Sequence, residues 1–395
     1  MTLPAIAALC CVIWIYLLAA RGGFWRAAER DDVVAPVTGQ DVVWPRVVAI
    51  VPARDEASFI AASVGSLLRQ DYRGSLTVIV VDDHSSDGTA EAARRAAAAA
   101  RVPDGLIVAA APSLPGGWKG KLWAMHHGIE RAQAMPEQPE YLLLTDADIH
   151  HADDVLTRLV QRVLRDHLVL ASLMAKLRCV SFAERALIPA FVFFFQMLYP
   201  FAWVNRADRR TAAAAGGCML VQCEALRAAG GIAAIRSELI DDCALARLLK
   251  PRGPIWLGLT GRVESARAYL SVRDIRRMVA RSAYAQLQYS LGWLIAAALA
   301  MIVTYVAPPF LTLFAAGPAR WLGALAWLSM ALAMQPILRF YRVSPSWGLA
   351  LPAIAGTYLA FTLDSAWRHL RGKGGEWKGR VHSAMSAQKN VGQGR

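Results

Sequence analysis

Apolar residues are gathered into runs near the two ends of this chain, and that placement constrains the fold more than any single motif. Residues 3–20 form an almost uninterrupted apolar run, and 291–316, 321–337 and 347–363 are three more. A bilayer core of roughly 30 Å is crossed by about 20 apolar residues as helix. The first two runs are long enough to span, whereas the last two are shorter. With 395 residues, 56% of them hydrophobic, the chain has room for a membrane portion and one α/β domain of ordinary size. Run 3–20 has no basic stretch before it and no small-x-small site before Arg21, which favours a retained anchor over a cleaved signal peptide.

The formal net charge of +13 follows the same plan. Arg21, Arg26 and Arg30 come after the first run, Arg273, Arg276, Arg277 and Arg281 before the second, and Arg368, Arg371, Lys373, Lys378 and Arg380 after the last. Basic residues beside spans mark the cytoplasmic side and suit anionic lipid. No nucleic-acid-binding motif accompanies them, so the expected partner is the bilayer and not a nucleic acid. Cys10 and Cys11 lie inside the first run, and Cys179, Cys218, Cys223 and Cys243 show no CxxC spacing. That pattern gives no disulfide framework and fits a reducing, cytoplasmic domain. If the central domain is inside, three later spans put the basic tail outside. An inside tail is expected instead, with either 347–363 re-entrant or the run around Pro308-Pro309 a hairpin.

Between the apolar ends the sequence reads β-α-β-α. Continuous apolar runs at 46–51, 76–81, 106–111, 141–144 and 168–173 predict buried strands; 57–70, 88–100, 121–133 and 152–165 predict helices. Ser85, Ser86 and Asp87 are good N-cap types for the second of these helices. Strands that are apolar throughout belong in a mostly parallel sheet covered on both faces, where ligands bind at the carboxyl ends of strands. Two of the strands end in acids there: Asp82-Asp83 and Asp146-Ala147-Asp148. The aromatic run 187–204, with Pro189 and Pro200, is read as an interfacial or acceptor-facing segment, the other readings being a span or a buried helix.

Carboxylates at i and i+2 in extended chain point to one side, so Asp146 and Asp148 are placed to address one cation or one ribose-phosphate. Mg²⁺ takes one or two carboxylates and completes its shell with water and phosphate oxygens. An acidic pair at a strand end is also commonly a solvated turn; what changes the odds is its company. In order along the chain stand Pro52-Ala53-Arg54-Asp55-Glu56, Asp82-Asp83-His84-Ser85-Ser86-Asp87-Gly88, Gly117-Trp118-Lys119-Gly120-Lys121, the Asp146 pair, Gly216-Gly217-Cys218-Met219 and Ile240-Asp241-Asp242. Competing motifs fail: Leu122 stands where a phosphate-binding loop needs Ser or Thr, and GxGxxG, GxSxG and HExxH are absent. His126-His127 and His150-His151 are adjacent pairs, a poor geometry for one metal.

In that order the motifs resemble the family 2 glycosyltransferases of GT-A fold, over residues 45–265. The resemblance implies a Rossmann-like, mostly parallel α/β domain at 45–265. Around it are expected an N-terminal transmembrane anchor (1–22), an interfacial basic segment (266–290), C-terminal transmembrane segments (291–365) and a basic tail (366–395). It implies that Pro52, Ala53 and Glu56 line a uridine pocket, that Asp82 or Asp83 binds the base, and that Lys121 lies near the nucleotide. Asp146 and Asp148 would hold ribose and a divalent cation, Mg²⁺ or Mn²⁺, and Asp242 would be the general base. Where the family usually shows Glu-Asp, this chain has Asp241-Asp242, which keeps the second carboxylate. At the QxxRW motif of processive members only Arg281 remains, placed either to meet the diphosphate or to mark the membrane boundary.

Gly117-Trp118-x-Gly120-Lys121-x-Trp123-Ala124 and Trp377-Lys378-Gly379-Arg380 are similar to the bacterial lipid-modifying branch, most of all to the hopanoid-associated glycosyltransferases. The implied reaction is inverting transfer of one sugar from a UDP-sugar to a membrane lipid hydroxyl, at the cytoplasmic face of a bacterial inner membrane. Two rivals are a polyprenyl-phosphate glycosyltransferase and an inactive scaffold of the same fold. Retention of every acidic motif argues against the second.

Overall fold

The protein was analysed as a computed structural model, which describes residues 2–32 and 43–371. The expected tail motif at Trp377–Arg380 lies outside the described residues. Eight strands form one sheet: β1 (Val47–Ala53), β2 (Leu76–Asp82), β3 (Leu106–Ala110), β4 (Tyr141–Thr145), β5 (Ile149–His151), β6 (Leu170–Lys176), β7 (Cys218–Gln222) and β8 (Ile255–Ser265). Their order is β3-β2-β1-β4-β7-β6-β8-β5. Strands β3, β2, β1 and β4 are mutually parallel, with Val47 opposite both Leu76 and Tyr141. Strand β7 is antiparallel to β4 and β6, β8 is parallel to β6, and β5 is antiparallel to β8. The sheet is therefore mixed and mostly parallel.

Every residue of β1 is buried, and its side chains alternate between two cores as the two-residue period of a strand requires. Val47, Ala49 and Val51 pack with Ile60, Val64 and Leu67 of the helix Ile60–Leu68 and with Leu156 and Leu159 of the helix Val155–Arg165. Val48 and Ile50 face the opposite core, with Leu122 and Met125 of the helix Gly120–Gln133. At Gly128 this helix lies so close to the sheet that a Cβ would stand 2.7 Å from Ile50 and 2.9 Å from Val81.

Two expected helices differ at their starts. The first begins at Ile60 and not at residue 57, because the Ala57 N–H is drawn to Asp87 Oδ2 at 2.9 Å and the Glu56 N–H to Thr89 Oγ1 at 2.8 Å. The second, Thr89–Ala99, has Gly88 as its N-cap at φ 86°. Ser86 is drawn away to Asp55 of the loop after β1, while Asp87 takes the Ala57 N–H on Oδ2 and the N–H of Thr89, the first residue of the helix, on Oδ1 at 3.1 Å. The chain after β5 reaches β6 at Leu170 and not at residue 168, since His167 takes φ 49° and turns the chain there.

Among the described residues three helices are long and apolar enough to cross a membrane: Phe182–Val204, Leu291–Phe314 and Pro318–Tyr341. Two of them lie on the expected runs 291–316 and 321–337, and the third covers the aromatic run 187–204, for which a span was one of the readings. The N-terminal helix Leu3–Ala19 has 17 residues, about 26 Å at about 1.5 Å per residue, short of a bilayer core of about 30 Å. The helix Leu351–Leu370 carries Asp364, Arg368 and His369 in its last two turns and does not qualify. Pro308 and Pro309 make no hairpin, and Leu291–Phe314 runs through them as one helix with a π-helical stretch at Ile302–Val306. A proline at i removes the N–H that would serve the carbonyl at i−4. Pro308 thus frees the Thr304 carbonyl, which accepts from Trp14 Nε1 at 2.9 Å, locking the N-terminal helix to this one. Gly323 completes the packing, with only 2.9 Å between an added Cβ and Leu311 Cβ.

The helix Phe182–Leu198 begins in a capping box of Ser181 and Glu184. Its flanks are covered by Phe24 and by Tyr305 and Tyr358 of the C-terminal helices, and Tyr358 donates to the Leu187 carbonyl at 2.8 Å. It lies between the sheet domain and those helices.

Candidate active site

The acidic strand ends meet at the carboxyl edge of β1, β2 and β4, where the connections from β1 part to either side. Lys121, in the first turn of its helix, points its ammonium into this edge. Its Nζ is 2.8 Å from Asp146 Oδ1 and 3.0 Å from Asp241 Oδ2. Burial works against the Lys121 charge, but Asp146 and Asp241 outweigh it and hold its pKa above the ordinary lysine value. Burial raises Asp146, Lys121 opposes this, and the Asp148 and Asp241 charges add to the rise.

Asp242 opens the helix Asp241–Leu249, so its carboxylate sits at the positive end of a helix dipole. Its Oδ2 accepts from the Gly216 N–H at 2.9 Å and its Oδ1 from the Cys243 N–H at 2.7 Å. A Cβ at Gly216 would lie 3.5 Å from both Asp242 Oδ2 and Lys121 Nζ, an ordinary van der Waals distance, so what this position supplies to the site is its N–H. Burial and the neighbouring Asp241 push the Asp242 carboxyl up, to about 6, against the opposing pull of Lys121. That is close to the pH at which a carboxylate has to take up protons reversibly. The Cys243 thiol behind it is raised by burial and by Asp242, opposed first by its hydrogen bond to the Ala214 carbonyl at 3.7 Å.

Asp148 is held apart from Lys121. Its Oδ2 accepts from Ser265 Oγ at 2.9 Å and from Arg267 Nε at 3.1 Å. Arg267 Nη2 then donates to both oxygens of Glu56, at 2.8 and 2.9 Å. One guanidinium thus ties the loop after β1 to the Asp146-Asp148 turn. Burial lowers the Arg267 pKa, but Asp148 and Glu56 more than compensate, so it stays charged. Sequence reading did not find Arg267 or Ser265, because both sit at the end of β8, a strand that was not anticipated.

The remaining expected residues fall as follows. Pro52 and Ala53 are in β1, opposite Val81 and Asp82, with Ala53 fully buried. Asp82 accepts from the Ser85 N–H at 3.1 Å, a local turn. The Asp83 side chain is only 1% exposed and pairs with Arg54, whose Nη1 also donates to the Asp83 carbonyl at 2.6 Å. Arg281 is exposed at the end of the helix Val272–Ala280, near enough to Tyr269 to act on its hydroxyl, and Tyr269 in turn feels Asp148 and Asp146. Thus Glu56, Asp146, Asp148, Lys121, Asp241 and Asp242 come together in one site with Arg281 at its margin, while Pro52 and Ala53 belong to the sheet. His151 is buried in the sheet and held neutral by burial, with its pKa lowered to about 3. Among the described residues no group of three or more His, Cys, Asp or Glu is arranged to hold a metal. The Asp146-Asp148 donor set still suits Mg²⁺ or Mn²⁺ of the kind that takes most of its shell from phosphate and water. Asp148 Oδ1 has no hydrogen-bond donor among the described residues.

Comparison with known proteins agrees with this geometry. Residues 48–230 match the family model described as Glycosyl transferase family 2. No curated protein sequence matches the chain. Among solved structures, the mannosyltransferase PcManGT from Pyrobaculum calidifontis, in complex with GDP-Man and Mn²⁺, is similar. It shares 22% identity over 93% of this chain and 99% of its own, with a TM-score of 0.52, which shows a common fold. Mannosyl-3-phosphoglycerate synthase from Rubrobacter xylanophilus also matches, at 16% identity over 68% of this chain and 83% of its own, with a TM-score of 0.41. Residues 48–230 form a glycosyl transferase family 2 domain of GT-A-like fold, and the protein that carries it is a glycosyltransferase.

Proposed function

We propose that this enzyme transfers one sugar, with inversion, from a UDP-sugar to the hydroxyl of a membrane lipid, a hopanoid being the acceptor its tryptophan-lysine motifs resemble. The observation that carries the reading is Asp242, raised toward neutrality and aimed by Gly216 and Cys243 into the carboxylate cluster that Lys121 balances. Asp242 takes the proton of the acceptor hydroxyl as its oxygen attacks the anomeric carbon of the sugar. The bond to the diphosphate breaks on the opposite face, which inverts that carbon. Asp148 and Asp146 would hold a divalent cation, which supplies positive charge to the departing diphosphate. Charge favours it: among the described residues, Lys121 and Arg267 are the cations that pair with Glu56, Asp146, Asp148 and Asp241, so a cation would help an incoming diphosphate enter this acidic cluster. The solved mannosyltransferase of similar fold holds a nucleotide sugar and Mn²⁺, ligands of the same two classes.

Several features support a lipid acceptor. Behind Asp242, Cys243 lies near enough to Tyr199 for each to act on the other's titration, and Tyr199 stands at the end of the apolar helix Phe182–Leu198. Tyr199 OH there accepts from Gln286 Nε2 at 2.5 Å, tying the site to the segment before the C-terminal helices. At the same level Arg21 bonds the Met197 carbonyl at 3.1 Å, and Trp203 is flanked by Arg21 and Arg209, the mixture of aromatic and basic groups that membrane interfaces favour. A cavity of about 320 Å³ beside it is lined by Arg209, Arg210, Arg247 and Lys250. The test is lipid extraction and mass spectrometry from cells with and without the gene, followed by transfer from labelled UDP-sugars to the extracted lipids. The reading requires a lipid whose mass drops by one sugar when the gene is lost. An unchanged lipid profile, with transfer only to soluble acceptors, contradicts it.

A further inference from the structure

Arg267 is the one strong contact in the carboxylate cluster that the proposed chemistry does not use. Its Nε meets Asp148 Oδ2 and its Nη2 spans both oxygens of Glu56, while its plane lies over Phe59 with the guanidinium carbon 4.9 Å from the ring centre. Nη1 has no hydrogen-bond partner among the described residues, and the side chain is 30% exposed. Lys121 is committed to Asp146 and Asp241 on the other side of the turn. The fork of an arginine is suited to two phosphate oxygens in a way a lysine is not. Ser265 shares Asp148 Oδ2 with it, and that same hydroxyl accepts from the Arg267 N–H at 3.3 Å, so the end of β8 fixes the whole arrangement.

Resting on the donor reading above, we propose that Arg267 is a diphosphate-binding and cation-positioning residue. Its Nη1 edge takes the donor's diphosphate, and its hold on Asp148 Oδ2 leaves Oδ1 as the oxygen offered to the cation. A positive charge so close to Asp148 also weakens cation binding before the nucleotide arrives. Cation and nucleotide are therefore expected to bind as a pair, the diphosphate supplying the negative charge that Arg267 offsets.

The test measures two affinities with opposite expected signs. By calorimetry on the full-length protein in detergent, Arg267→Gln should bind UDP at least about ten-fold more weakly than wild type in EDTA, the size of one charged hydrogen bond lost. Its affinity for uridine should stay within about two-fold, because the proposal has Arg267 act on the diphosphate and not on the nucleoside. Binding of Mn²⁺ alone, followed by electron paramagnetic resonance, should tighten in the same variant, and Arg267→Lys should recover only part of the UDP loss. GDP and guanosine are run as a second pair. A variant whose diphosphate-to-nucleoside affinity ratio matches wild type overturns the proposal, as does one whose Mn²⁺ binding weakens. Loss of uridine and UDP together would show a structural role and also overturn it. If wild type binds neither diphosphate even with Mn²⁺ added, the donor reading itself fails, an outcome distinct from failure of Arg267 alone.

Discussion

The proposed donor side and the proposed acceptor side of this site are built in different ways. On the donor side, β1, β2 and β4 are parallel neighbours, and each delivers its acids within a few residues of its own end: Glu56, Asp82 and Asp83, Asp146 and Asp148. Ser265 and Arg267, at and just after the end of β8, join these acids from a distance. Across the site, the partners all come from distant stretches: Gly216 before β7, Asp241 and Asp242 at a helix start, and Tyr199 at the end of an apolar helix. On the proposed reading the donor-side acids are encoded locally at the ends of parallel strands, whereas the acceptor-side groups are brought in from distant stretches. The two sides should therefore be separable by mutation.

The largest expected effect is loss of the cation. EDTA should remove transfer and Mg²⁺ or Mn²⁺ should restore it, while Asp148→Ala should stay at least about a thousand-fold below wild type with either ion, as when electrostatic stabilisation of a leaving group is lost. Full activity in Asp148→Ala would break the assignment of this carboxylate to the donor side. A smaller effect is expected from pH. Because burial and Asp241 raise Asp242 to about 6, the base is protonated and idle at a higher pH than an ordinary carboxylate would be. The rate should fall about ten-fold per pH unit below that point, against a reference near about 3.9 for an unperturbed aspartate. A pH–rate profile flat down to pH 5 would contradict it. The smallest effect concerns stability alone. Gly128→Ala forces a methyl against Ile50 and Val81 and should cost about 1–3 kcal/mol in denaturant unfolding, with the affinity for UDP kept in the folded fraction. An unchanged midpoint would show that the helix can shift off β1.

How much was readable beforehand follows the same division. The four parallel strands are unbroken apolar runs, and each one anticipated is present within a residue or two. Strand β5 has only three residues, Ile149–His151, too few to show a period. Strand β7 was visible only as the Gly216-Gly217-Cys218-Met219 motif, and β8 is interrupted by Gly258 and Gly261 and turns polar toward Ser265. Arg267 lies 119 residues from Asp148, so its role depends on the pairing of β8 with β5 and β6, which no local pattern reports. The helix starts at Ile60 and Thr89 were missed for a related reason: loops from two strands bond each other and override the local caps. In the apolar ends, composition showed that helices form there, but the points where each helix starts and stops, which composition does not fix, decide which of them is long enough to cross a bilayer.

The separation of binding from chemistry is tested most directly at Asp242. Asp242→Asn keeps the shape of the side chain and an oxygen for the Gly216 and Cys243 N–H groups, yet it cannot take up the acceptor proton. UDP affinity by calorimetry and single-turnover transfer in nanodiscs are measured on the same preparation. Affinity should stay near wild type while transfer falls by roughly two to four orders of magnitude, the usual size of a lost general base. Transfer at near wild-type rate, or a parallel collapse of UDP binding, would contradict the assignment of Asp242 to the acceptor side.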